Sequence, residues 1–167
     1  MKVQRMILVK QLKGTKIEMS ISVYGKIKEK RLDNDLFKRS IADFFLSDGT
    51  TMLKHNDGVF YYEGKDFAFD IYFIEDKEPP FNVWDSVILG DEFEYAQTIM
   101  FDLYKEIDRV EEIDYEGAYR SIIEFFIFLN KKIESTILVT SDPHNDICYI
   151  DKDIRWSESW LNRYEER

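Results

Sequence analysis

The sequence predicts an α+β fold, a mostly antiparallel sheet with helices packed mainly on one face. Strand-like segments come in consecutive pairs rather than alternating with helices. The turns between them carry Gly, which supplies the positive φ that tight connections need. No composition break, linker or internal repeat divides the 167 residues, so a single domain over 1–167 is expected. The expected element order is β-β-α-β-β-β-β-α-α-β-β-α.

The first pair is Arg5 to Val9 and the segment from Ile17, joined around Lys13-Gly14-Thr15. Ile17, Met19, Ile21, Val23 and Ile27 fall on odd positions, with Glu18, Ser20, Ser22, Tyr24 and Lys26 on even ones. That period of two belongs to a strand with one dry and one wet face. Asp33 or Asp35 can cap a helix with Leu36, Phe37, Ile41, Phe44 and Phe45 on its apolar side, ending at Asp48-Gly49. A three-stranded meander follows: Thr51 to Lys54, Val59 to Tyr62 and Phe67 to Ile74, with turns at Asn56-Asp57-Gly58 and Glu63-Gly64-Lys65-Asp66. Asp70 and Tyr72 lie opposite Phe67, Phe69, Ile71 and Phe73. Pro79-Pro80 breaks the chain before a further strand within Phe81 to Leu89.

Residues 92–110 read as a helix, with Asp91 and Glu94 as a capping box and Phe93, Ala96, Met100, Leu103, Ile107 and Val110 at three- and four-residue steps. A second helix, Tyr115 to Lys132, turns Ala118, Tyr119, Ile122, Ile123, Phe126 and Leu129 inward and places two lysines at the negative end of its dipole. Thr136 to Thr140 and Ile147 to Ile150 form a hairpin around residues 142–146, and a short helix with Trp156, Trp160, Leu161 and Tyr164 on one face closes the chain.

Hydrophobic residues make up 44% and charged residues 34%, enough for a core and a charged surface, and the formal net charge is -10. The charge is uneven. Residues 1–39 hold eleven Lys and Arg against four Asp and Glu; residues 40–167 hold twelve against twenty-nine. One cysteine excludes an intramolecular disulfide framework and a cysteine-built metal centre. The N-terminal apolar run, Met6 to Val9, is too short for a secretory signal, and the longest, Ile122 to Leu129, is interrupted by Glu124, so a cytoplasmic protein is expected.

Catalytic motifs are sparse. There is no G-x-G-x-x-G, no Gly-Lys-Ser/Thr phosphate loop and no G-x-S-x-G elbow. Cys148 sits between Ile147 and Tyr149 and reads as a small buried hydrophobe. Asp142, His144 and Asp146, with Asp151 and Asp153 downstream, read as turn chemistry rather than a metal site. Glu124 is expected to reach solvent or pair with Arg120. Glu75-Asp76-Lys77 resembles the E-x-K tail of restriction-endonuclease-like nucleases, which implies a divalent metal held with an upstream acid, Asp57 or Asp66. The acidic remainder of the chain would repel phosphates from such a site. The expectation is therefore no catalytic residue, no metal ligand and no cofactor, with a divalent-metal hydrolase or nuclease as the alternative and a structural or regulatory domain as a third reading.

The acidity itself points to a partner. Between Glu63 and Glu116 there are seventeen acids against four basic residues, interleaved with aromatic side chains. Carboxylates beside Tyr and Trp make anchors for a cationic protein surface. The expected docking residues are Trp84, Asp85, Asp91, Glu92, Glu94, Tyr95, Asp102, Glu106, Asp108, Glu111, Glu112 and Asp114. The expected role is that of an immunity- or antitoxin-type inhibitor of a basic toxin or other basic protein. Such a chain would engage neither nucleic acid nor membrane, and would be a monomer or weak homodimer.

Overall fold

A computed structural model describes residues 21–46, 52–75, 82–142 and 144–165. Among the described residues ten strands and three helices follow in the order β1 (Ile21–Ile27), α1 (Asn34–Phe45), β2 (Met52–Asn56), β3 (Val59–Glu63), β4 (Ala68–Glu75), β5 (Asn82–Ser86), β6 (Asp91–Tyr95), β7 (Gln97–Leu103), α2 (Tyr115–Ile133), β8 (Ile137–Ser141), β9 (Asn145–Ile150), β10 (Ile154–Trp156) and α3 (Glu158–Glu165). Eight strands form one sheet, β10-β9-β8-β1-β7-β4-β3-β2, and β5 and β6 pair separately. Every pairing among the described strands is antiparallel. The α+β architecture is as the sequence predicts. The expected strand Arg5 to Val9, the helix end at Asp48-Gly49 and the break at Pro79-Pro80 lie outside the described residues.

The alternation in β1 sets the two faces of the large sheet. Val23 and Ile27 join Phe69, Ile71, Ile99, Phe101, Ile137 and Val139 in the buried core under the helices. Gly25 sits in the same row, where α2 approaches most closely. A Cβ there would lie 2.1 Å from the Phe126 ring, so only glycine leaves room for that ring. Helix α1 is capped by Asp33, whose carboxylate accepts from Leu36 N at 2.7 Å. It contributes Phe45, whose ring meets Tyr62, Phe69, Phe101 and Phe125 at centroid distances of 4.7 to 6.2 Å. Helix α2 ends at Glu134 in the left-handed conformation, and Lys132 in its last turn reaches Asp43 on α1. Between β1 and α1, buried Gln97 accepts from Arg31 N and Leu32 N and donates to Leu32 O, satisfying its amide and fixing that connection.

The expected helix over 92–110 is not formed; β6, β7 and an irregular loop occupy that stretch. The three- and four-residue apolar steps coexist with a period of two through Gln97, Ile99, Phe101 and Leu103, which face the core. Pairing on both sides, to β1 and to β4, overrides the helical reading, and Asp91 and Glu94 cap nothing. Trp156, expected on the terminal helix, lies in β10 against Cys148, and the helix starts at Glu158. The β2–β3 turn follows expectation, with Asp57 and Gly58 at φ 50° and 81°.

Replacing Gly25 with Ala should destabilise the fold by about 1–3 kcal/mol through overpacking against Phe126, read as a lower urea midpoint with an unchanged slope.

Candidate functional site

The face of the large sheet turned away from the helices carries the polar chemistry. In-register pairing aligns Ser22, Asp102, Asp70 and Tyr61 in one row across β1, β7, β4 and β3. The next row on the same face holds Tyr24, Met100 and Tyr72. Tyr104, just beyond β7, donates to both oxygens of Asp70 at 3.0 and 3.1 Å and packs edge-on against Tyr61, 5.3 Å between centroids. Four tyrosines thus surround two aspartates on a stretch that is half-exposed among the described residues.

The electrostatics follow from this crowding. Asp70 and Asp102 face each other directly, a like-charge pairing that costs stability in a sheet. Partial burial lifts the Asp70 carboxyl above its ordinary range and Asp102 adds to the rise, while the Tyr104 hydroxyl opposes it. Ser22 donates to Asp102 and provides part of its compensation. Tyr104 is pushed up to about 12, first by burial and then by its bond to Asp70. Burial also raises Tyr72 and Tyr24, with Asp70 next for the former and Asp142 for the latter. At one rim Tyr61 donates to Glu63 at 2.7 Å, and Arg109 pairs with the same carboxylate. The hydrogen bond from Tyr61 and the pairing with Arg109 hold the Glu63 carboxyl below its ordinary value. Tyr61, Glu63, Tyr104, Glu106, Ile107, Asp108 and Arg109 line an open concavity of about 370 Å³ there.

At the other rim the β5–β6 hairpin lies over β1 and β9. Asp146, 5% exposed, accepts from Trp84 Nε1 at 2.7 Å, Ser86 Oγ at 2.6 Å and Ile88 N at 3.2 Å. Beneath Trp84 sits Lys26, 4% exposed, its ammonium 4.0 Å from the indole ring, 4.8 Å from that of Tyr24 and 5.6 Å from that of Tyr95. Lys26 Nζ donates to Thr140 Oγ1 at 2.6 Å. Burial lowers this amine to about 8, against the opposing pull of Asp142 and Asp146.

The expected docking residues fall into separate groups. Asp85, Glu92 and Glu94 line the outer face of the hairpin, with Asp85 and Glu92 in register. Trp84 and Tyr95 turn inward onto Lys26, so their rings are engaged within the chain. The Asp91 carboxylate accepts from the backbone of Glu92. Asp102 belongs to the aspartate row, and Glu106 and Asp108 to the concavity beside it. Glu111 and Glu112 are exposed in the following loop, and Asp114 caps α2 by accepting from Gly117 N. Asp70, Tyr61, Tyr104 and Lys26 are absent from the expected docking residues, and Asp146, expected only as turn chemistry, anchors the hairpin. The even positions of β1 and β4 carry the signal for Lys26 and Asp70, but the helical reading of 92–110 hid Asp102, the neighbour of Asp70.

The other sequence candidates separate. Among the described residues no three His, Cys, Asp or Glu side chains converge to hold a metal ion. Asp146 is committed to the hairpin, and the His144 ring lies tilted against Trp84, 4.7 Å between centroids. Glu75 pairs with Lys30, while Asp76 and Lys77 lie outside the described residues. Cys148 is buried in the core, and burial pushes its thiol well up, away from nucleophilic use. Glu124 is exposed. Among the described residues no helix is long and apolar enough to cross a membrane. No family model, curated protein or solved structure matches the chain.

Two outcomes follow for the titrating groups. Between about 8 and 10.5 the unfolded chain binds more protons than the folded one at Lys26, so this residue makes stability rise with pH across that window. Lys26→Met should remove that rise, measured by urea unfolding at several pH values. Asp70→Asn should bring the Tyr104 hydroxyl down from about 12, read by ultraviolet titration of the phenolate.

Proposed function

We propose that this protein is a stoichiometric binding module that covers a basic protein with the tyrosine–aspartate face of its sheet, in the manner of an immunity or antitoxin inhibitor acting in the cytoplasm. The observation that carries the reading is the row Ser22, Asp102, Asp70 and Tyr61, flanked by Tyr24, Tyr72 and Tyr104. Facing carboxylates are unfavourable in the free protein, and a partner's Lys or Arg placed between them converts that repulsion into attraction. Tyrosine rings supply contact area at small entropic cost and suit cation contacts. The exposed acids of the hairpin and of the loop from Glu106 to Asp114 add a negative field that speeds encounter with a cationic surface. The same field disfavours nucleic acid and anionic lipid. The reading requires no catalytic step, metal or cofactor.

The test is co-expression with the basic product of a neighbouring reading frame, followed by calorimetry at two salt concentrations. Submicromolar binding that weakens with salt is expected. Asp70→Lys and Glu106→Lys should each weaken it by about tenfold or more, or about 1.4 kcal/mol, whereas Glu124→Lys outside this face should not. Binding that is absent, or equally sensitive to Glu124→Lys, contradicts the assignment.

A further inference from the structure

The β5–β6 hairpin is the one paired unit among the described strands that stands outside the eight-stranded sheet. Its root is set where Ala96 N donates to Ile27 O, just after β6. Among the described residues, side chains of the sheet and the β8–β9 turn tie it down between Asn82 and Tyr95. They include the Asp146 carboxylate beneath Trp84, Ser86 and Ile88, the Lys26 ammonium beneath Trp84 and Tyr95, His144 against Trp84, and Tyr149 edge-on to Phe93 at 6.1 Å. The interface it covers is mixed, with Leu138 and Thr140 fully buried beside Lys26 and Asp146. The outer surface is wet and carries Asp85, Glu92 and Glu94, with Val83 and Val87 exposed.

A buried ammonium under ring faces, with one hydroxyl acceptor at hydrogen-bond distance, is held less well than in water, where it meets three acceptors. Releasing it to solvent returns part of the free energy lost on separating the hairpin from the sheet. Opening also keeps the β5–β6 backbone pairing intact, because those bonds are internal to the hairpin. The cost of lifting is therefore confined to one side-chain layer, whereas the core beneath the other face is untouched. Such a layer is what distinguishes a local opening unit from the rest of a fold.

We propose that β5–β6 is a hinged flap that lifts as a unit from the sheet, uncovering Lys26, Thr140 and Asp146 and extending the exposed polar face across β1, β8 and β9. The flap is a property of the isolated chain and stands or falls separately from the partner reading.

Thiol labelling under native conditions tests it. Thr140→Cys places a thiol beneath the flap, while the native Cys148, fully buried toward the helices, reports opening of the core in the same molecule. The introduced thiol should react about tenfold or more faster than Cys148, as local opening requires. Adding Asp146→Asn, which turns an amide donor toward the hairpin donors, should accelerate the introduced thiol and leave Cys148 unchanged. Ser86→Cys, on the inner surface of the flap, provides a second position that does not touch the Lys26 contact, and the same ordering is expected. Labelling of the introduced thiol at the rate of Cys148 in both variants, or equal acceleration of both thiols by Asp146→Asn, would overturn the proposal.

Discussion

The register of the three central strands governs the rest of this molecule. β7 pairs with β1 on one side and β4 on the other, so each residue of β7 fixes what lies on the same face two strands away. Because side chains alternate, one choice of register sends Phe101, Ile99, Val23 and Ile71 toward the helices and Ser22, Asp102 and Asp70 away from them. A slip of β7 by one residue would turn Asp102 under α2 and send Ile99 and Phe101 out to the polar face. The close approach of Phe126 to Gly25 reinforces the same register, since no other position of β1 is shaped to receive that ring.

This constraint also accounts for how the two signs of charge are arranged. Lys26 is an even position of β1, so it belongs to the polar face and cannot escape into the core. Once the hairpin lies over it, the ammonium must be accommodated by ring faces, Thr140 and the nearby Asp142 and Asp146. Farther along that face no described basic residue sits between Asp70 and Asp102, and the two carboxylates are tempered by Tyr104 and Ser22. One end of the face is thus internally neutralised under a hairpin, and the other keeps an excess of negative charge among tyrosines. The basic partner proposed above would complement the second end and has no unpaired charge to meet beneath the hairpin.

Much of this was legible in the sequence where a single period dominated. The alternation from Ile17 gave the two faces of β1, and Phe67 to Ile74 did the same for β4, placing Asp70 and Tyr72 together on the wet side. Helix α2 was legible from its apolar repeat and terminal lysines. The failure at 92–110 has a physical cause. The start of β7 is buried on both faces, so Ala96, Gln97, Thr98 and Ile99 form a continuous buried run in which a helical repeat can be traced as easily as a strand. That error displaced Asp102 from Asp70 and left the aspartate row invisible. Trp84 and Tyr95 were recognised as chemically notable, yet their inward orientation depends on contacts with β1 and β9, roughly sixty residues away in each direction, which local pattern does not encode.

The aspartate row can be probed without any protein partner. Titrating the protein with an oligolysine peptide while following tyrosine ring signals by nuclear magnetic resonance reports where a cationic chain settles. A cation-binding aspartate row gives saturable, salt-reversible shifts concentrated at Tyr61, Tyr72 and Tyr104, with Tyr119 beneath α3 unaffected. Shifts spread evenly over all of these rings, or confined to residues outside the aspartate row, would contradict it.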